Sequence, residues 1–174
     1  PIVLADVEIE SPVSPRAIAL HDSGVAWIST GGFELLGYDV SDPEDVALVG
    51  SLPTLCQVGR LALAGNTLFG VNCGVLAFDV SQPSQPSLVG QVGTQRPPRD
   101  VAVAGDSLVA ATDDGGLQLV DASSPSDLTV VGPYGTPGRG LDVAVWGGAV
   151  AIANGPGGLR IVDATTPSAP SLLS

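Results

Sequence analysis

The sequence predicts an all-β fold: a β-propeller of four-stranded antiparallel blades, with four repeats in this chain. Three observations carry that expectation. A five-residue motif recurs four times at a nearly constant interval, every copy closes a short apolar segment, and no segment is suited to a helix. With 44% apolar but only 4% aromatic residues, 23 Gly and 15 Pro, the 174 residues read as short strands broken by tight turns around one core.

Asp39-Val40-Ser41-Asp42-Pro43 returns as Asp79-Val80-Ser81-Gln82-Pro83, Asp121-Ala122-Ser123-Ser124-Pro125 and Asp163-Ala164-Thr165-Thr166-Pro167. The Asp positions lie 40, 42 and 42 residues apart. Each motif ends an apolar run: Leu35 to Tyr38, Val75 to Phe78, Leu117 to Val120 and Leu159 to Val162. An Asp at such a place accepts hydrogen bonds from backbone N–H groups two residues on, and a Ser or Thr hydroxyl can do the same. The Pro then fixes φ and stops the strand. Asp39, Asp79, Asp121 and Asp163 therefore read as turn builders, not as catalytic acids.

The rest of each repeat supplies three more strands. A first β segment carries Ala at one aligned place, as Ile18-Ala19-Leu20, Leu61-Ala62-Leu63, Val101-Ala102-Val103 and Val143-Ala144-Val145. A two-residue turn such as Gly65-Asn66 or Gly105-Asp106 leads to a second strand: Val25 to Ser29, Leu68 to Asn72, Leu108 to Thr112 and Val150 to Asn154. A further turn, often Gly-Gly (Gly31-Gly32, Gly115-Gly116, Gly157-Gly158), enters the strand that ends at the Asp. The core of a fourth strand is expected to end eleven residues after the Asp, at Gly50, Gly90, Gly132 and Ser174.

A sheet of four short strands with two apolar faces cannot bury itself alone and must stack on neighbours, which is the logic of a propeller. Its first strand lines the axis, where blades converge and a small residue such as the repeated Ala fits. The repeats run about 15–57, 58–97, 98–138 and 139–174, after an outer strand and linker over 1–14, in a single domain over 1–174. The Gly-His and Trp-Asp marks of one common propeller family are absent, and the period is shorter than the ~50 residues of kelch repeats.

Charge narrows the partners. Eighteen acidic residues face six basic ones, all Arg, for a net charge of −12. Such a surface repels phosphate backbones and anionic lipids, which argues against nucleic acid and against peripheral membrane binding. No apolar run approaches the roughly 20 residues of a membrane helix.

The segments Gly116 to Pro125 (GLQLVDASSP) and Gly158 to Pro170 (GLRIVDATTPSAP) resemble the LVIVD-repeat family, as do the openings Asp100 to Gly105 and Asp142 to Gly147. The resemblance extends to all four copies, sharper in the third and fourth than in the first two, which read LLGYDVSDP and LAFDVSQP. It implies a bacterial or archaeal propeller, usually exported or surface-linked, and no single activity.

Pro1 to Ala5 fall in the register of Pro170 to Ser174, so the chain is expected to begin at one fourth strand and end inside another. Since it opens on Pro1, either a leader has been removed or this is a piece of a longer chain. Ile2 to Ile9 would then complete the last blade of a four-bladed ring, or the chain is an excerpt of a larger ring. In a third reading the spare outer strand pairs with another chain by β-addition, giving self-assembly.

Cys56 precedes the first strand of the second blade, and Cys73 follows its second strand. If the Gly65-Asn66 hairpin pairs in register, Cys73 sits opposite Val58 with Cys56 one pair further on. A disulfide is then expected if the loop curls back; the alternative is two separate thiols. A bridge, the lack of Lys and the family resemblance all point to an exported, extracellular or cell-surface protein.

Catalytic groups are sparse. His21, the single His, falls at a hairpin turn with no cluster of carboxylates or Cys at ligand spacing. Asp42, Glu44 and Asp45, and the pair Asp113-Asp114, could hold Ca²⁺ but sit where turns need polar residues, so no metal and no cofactor is expected. The candidate ligand-binding residues are Arg16, Arg60, Arg99 and Arg139, one near the start of each first strand, with Asp100 and Asp142 beginning two of those strands. Guanidinium groups around the channel mouth suit a carboxylate or sulfate; the competing reading is local pairing of each Arg with a carboxylate or carbonyl. The function expected is a non-catalytic binding or scaffold module with a protein or glycan partner. The alternative is a hydrolase or lactonase-like propeller with a metal or anion site at the channel, which would need several carboxylates or His at the axis.

Overall fold

Short Val-, Leu- and Ile-rich runs closed by Gly turns or Asp-Ser/Thr turns favour pleated, buried strands, and they pair here into four separate four-stranded antiparallel sheets. The structure is a computed structural model and describes residues 14–113, 116–135 and 138–173. Blade 1 holds β1 (Pro15–Leu20), β2 (Val25–Thr30), β3 (Glu34–Asp39) and β4 (Ala47–Pro53). Blade 2 holds β5 (Arg60–Ala64), β6 (Thr67–Val71), β7 (Val75–Asp79) and β8 (Ser87–Val92). Blade 3 holds β9 (Pro98–Ala104), β10 (Ser107–Thr112), β11 (Gly116–Asp121) and β12 (Thr129–Tyr134). Blade 4 holds β13 (Asp142–Trp146), β14 (Ala149–Ala153), β15 (Leu159–Asp163) and β16 (Ser171–Leu172), with one 3₁₀ turn at Gly155–Gly157.

Every blade pairs in chain order from first strand to fourth. Successive first strands lie side by side, β1 on β5, β5 on β9 and β9 on β13, which puts them on the inside of an arc. The core is divided accordingly, with one apolar cluster at each junction. Trp27 and Leu35 meet Leu68, Leu76 and Phe78 between blades 1 and 2. Phe69, Val71 and Ala77 meet Leu108 and Val120 between blades 2 and 3. Val109, Leu117 and Leu119 meet Val150, Ile152 and Val162 between blades 3 and 4. The repeated Ala of the first strand packs into these junctions as Ala19, Ala62 and Ala102.

The Asp turns have the chemistry the sequence implies. Asp39, Asp79, Asp121 and Asp163 each accept the backbone N–H two residues on, at 2.8–3.0 Å. The Ser41 and Thr165 hydroxyls add donors to Asp39 and Asp163 at 2.6 Å. These bonds to the ionised form hold all four carboxyls below the usual Asp range.

The fourth strands differ from expectation. They do not stop at Gly50, Gly90 and Gly132 but run past them to Pro53, Val92 and Tyr134. The glycine pairs with the third strand (Gly37↔Gly50, Ala77↔Gly90, Leu119↔Gly132), and in blades 1, 2 and 3 a one-residue register shift lies beside it, leaving Val49, Val89 and Val131 bulged. Two of these glycines answer to the next blade rather than to a strand end. A Cβ on Gly50 would lie 1.8 Å from the Pro83 carbonyl oxygen, and one on Gly90 would lie 1.9 Å from that of Pro125. Ile2 to Ile9, Asp114, Gly115 and Ser174 lie outside the described residues.

Candidate functional site

The end of the arc where each first strand begins also carries the turns between second and third strands, so charged residues from several blades collect there. Arg60 opens β5 and Arg99 is the second residue of β9. Asp113 sits in the turn after β10, and Arg139 lies just ahead of β13. Asp142 begins β13 as expected, whereas Asp100 is the third residue of β9, because that strand starts two residues earlier, at Pro98.

Asp113 is the hub. Arg99 Nη2 stands 2.5 Å from its Oδ2, and Arg139 Nε donates to its Oδ1 at 2.9 Å, so one turn carboxylate ties blade 4 to blade 3. The two guanidinium groups hold its carboxyl down at about 2. Asp113, read from sequence as half of an acidic pair, is thus taken up by cations. Asp42 accepts the Glu44 N–H within its own turn, and among the described residues no group of three or more metal-ligating side chains gathers.

Asp100 has a different environment. Its Oδ2 accepts the Val143 N–H of blade 4 at 2.9 Å, and its Oδ1 lies 3.8 Å from Arg60 Nε. Burial first, and then hydrogen bonding to the Asp142 carboxyl, push it up to about 6, against the backbone donors Val143 and Val101. A half-buried carboxyl beside a second one is favoured in its protonated form. The structure therefore gathers Arg60, Arg99, Arg139, Asp100 and Asp142, and adds Asp113. Arg16 is exposed on blade 1 and forms no ion pair with another described residue.

Beside these pairs is an open cleft of about 340 Å³ between blades 2 and 3, lined by Arg60, Asn72, Pro98, Arg99, Asp113 and Leu141. Arg60 keeps half of its side chain exposed here, and among the described residues its one ion-pair contact is the long one to Asp100. A disulfide joins Cys56 to Cys73 with Cα atoms 6.5 Å apart. It ties the loop before β5 to the turn after β6, and so braces Asn72 in the cleft wall. The contribution of Asn72 was not legible from sequence; its place in the turn next to Cys73 was the available signal. His21 bonds Ser23 and, across to blade 2, Asn66, far from this end.

Stacked four-stranded blades with their first strands around an axis define a β-propeller, and solved structures similar to this chain include β-propellers. The designed protein Ika4 superposes with a TM-score of 0.72 at 12% identity, over 88% of this chain and 94% of its own. The WD40 repeats of RRP9 give 0.76 at 12% identity, over 94% of this chain and 52% of theirs. The β-propeller domain of Myceliophteria thermophila Cps50 (Swd1) gives 0.72 at 16% identity, over 86% and 53%. The chain spans about half the length of these two WD40-type structures. No curated protein matches the sequence significantly.

The LVIVD repeat model matches residues 60–94, 96–136 and 137–174, and the chain belongs to that family. The first repeat, whose sequence departs most, lies outside those three matches although it folds as a blade of the same design. Among the described residues no helix is long and apolar enough to cross a membrane.

Proposed function

We propose that the chain is a non-catalytic binding module of an exported protein, and that the cleft between blades 2 and 3 receives a carboxylate group of a protein partner. One observation carries the reading: a half-exposed Arg60 guanidinium faces a polar cleft beside Arg99 and Asn72 on a protein whose surface is otherwise strongly acidic. Arg offers a planar fork suited to a carboxylate, and cleft walls locked by Asp113 and by the disulfide would present it without reorganisation. The disulfide supports an oxidising, extracellular or cell-surface location. Asp113 and Asp100 serve cross-blade bonds, which leaves little of this constellation for acid–base work.

Calorimetric titration with a hexaglutamate peptide tests the reading. Binding that weakens with salt and drops at least tenfold in Arg60→Ala supports it. Preference for an oligouronate over the peptide would make the partner a glycan, and a stoichiometric divalent ion with ester or lactone turnover would favour the hydrolase.

A further inference from the structure

We infer that Asp100 gates the cleft between blades 2 and 3, so that a carboxylate ligand is taken up in mildly acidic surroundings and released near neutrality. This rests on the reading of the cleft as a carboxylate site and adds its regulation.

The gate follows from placement. β9 packs against β5 on one side and β13 on the other, which sets Asp100 between Arg60 of blade 2 and Asp142 of blade 4. Arg60 also stands in the wall of the cleft. One guanidinium thus has two claimants, the Asp100 carboxylate within the fold and a ligand carboxylate outside it. The contact to Asp100 is long, 3.8 Å from Nε to Oδ1, and 54% of the Arg60 side chain stays exposed. A carboxylate hydrogen-bonded at that Nε lies no more than about 7 Å from Asp100. At this range a second negative charge is disfavoured and a neutral carboxyl is not.

The other charges facing Asp100 are accounted for. Arg99, beside it on β9, and Arg139, ahead of β13, both pair with Asp113 in the turn after β10. Strand β10 sets Ala111 opposite Asp100, and β6 carries no charged residue. The Val143 amide holds Asp100 Oδ2, which keeps the carboxyl in place beside Arg60.

Burial and the Asp142 carboxyl raise Asp100 to about 6, so its charge changes between mildly acidic and neutral pH. Below that value Asp100 is neutral and Arg60 meets the ligand with its charge uncompensated. Above it the Asp100 carboxylate draws on Arg60 and repels the ligand. A bound carboxylate in turn favours the neutral form, so the complex takes up a proton from solvent onto Asp100. A rise of Asp100 from about 6 to about 7 in the complex corresponds to roughly tenfold tighter binding by the protonated protein.

Calorimetric titration with hexaglutamate at about pH 5 and about pH 7.5, at one ionic strength, is the test. Wild type should bind about five- to tenfold more tightly at the lower pH. Titrations near pH 6 in buffers of different ionisation enthalpy should show proton uptake, a readout that needs no variant. Asp100→Asn should bind equally at both pH values, which also controls for titration of the peptide. Asp142→Asn should move the wild-type transition to lower pH. His21, the single His, lies at the opposite end of the blades, bonded to Ser23 and Asn66. Equal wild-type affinity at the two pH values, or a trend that survives in Asp100→Asn, would overturn the gate and leave the carboxylate site standing. Failure of both proteins to bind at either pH would overturn the carboxylate site and the gate with it.

Discussion

Trp27 and Gly37 stand directly opposite each other on β2 and β3, and the indole occupies the space a side chain at 37 would need: a Cβ there would lie 2.8 Å from the ring. The same cross-strand pair in the other blades is Phe69 with Ala77, Val109 with Leu119, and Ala151 with Ile161. As one partner shrinks the other grows, so the pair fills a similar volume in each blade, as close packing requires. Gly37→Ala should therefore destabilise by about 1–3 kcal/mol through overpacking, and Trp27→Ala by about 3–5 kcal/mol through a cavity. Trp27→Phe with Gly37→Ala recreates the blade 2 pair. It should recover much of the Gly37→Ala loss, because the buried indole N–H has no acceptor and its removal strands nothing. Urea midpoints of the single and double variants measure the coupling.

That pair marks the boundary of what was legible. The Asp turns could be read from five residues because their chemistry is local: donor and acceptor lie two positions apart, as in Ser41 and Asp39. Likewise the strands, set by short apolar runs between turns. The Trp27–Gly37 exchange cannot be read within one strand, since its reason is across the sheet. Asp113 looked like a turn acid because Arg99 and Arg139 lie 14 and 26 residues away; only the stacking of blades brings them to it. The roles of Gly50 and Gly90 depend on carbonyls of the next blade, which no single repeat contains.

The clamp on Asp113 has a pH signature. An unfolded Asp titrates near 3.8, and Arg99 and Arg139 hold the native one down at about 2. The native state therefore binds its proton less readily, and the stability this gives is complete above the unfolded value and lost as pH falls toward 2. Asp113→Asn should lower the urea midpoint at pH 7, with the gap to wild type closing as the pH drops toward about 2. Because the pairs are exposed, 1 M salt should also narrow the gap. A gap independent of both would assign the effect to something other than the ion pairs.

Asp100 gives the opposite slope. Its native carboxyl sits near 6, above the ordinary 3.8, so the folded state holds the proton more tightly between those values and stability declines as pH rises through that window. Asn at 100 keeps an oxygen for the Val143 amide and removes the charge beside Asp142. Wild type and Asp100→Asn should melt at similar temperatures near pH 4, with the variant gaining on wild type up to about pH 6 and keeping a constant lead above it. Parallel melting curves across that window would count against a raised Asp100 carboxyl.

The disulfide should matter for the cleft as well as for the fold. Cys56 and Cys73 enclose a short loop of 17 residues' separation, and breaking such a bridge costs about 3 kcal/mol. The Cys56→Ala, Cys73→Ala double variant should lose that much in urea. It should also bind hexaglutamate more weakly than wild type under conditions where both are fully folded, because Asn72 is no longer braced. Equal affinity would confine the bridge to a role in stability.

Gly90 and Gly132 occupy one column of the fourth strand, yet their surroundings differ. A Cβ on Gly90 would run into the Pro125 carbonyl of blade 3 at 1.9 Å, an atom fixed in the Asp121–Pro125 turn. A Cβ on Gly132 would meet nothing within 4 Å. Backbone cannot yield as a flexible side chain can, so Gly90→Ala must push blades 2 and 3 apart at their outer edge. It should cost more than about 1–3 kcal/mol, the ordinary range of overpacking. Gly132→Ala only removes the backbone freedom of a glycine within a strand, so it should be neutral or stabilising by up to about 1 kcal/mol. Urea denaturation of the two variants side by side decides the matter. Equal losses would mean the column needs glycine for the bulge beside it, whereas a loss at 90 alone assigns the requirement to the neighbouring blade.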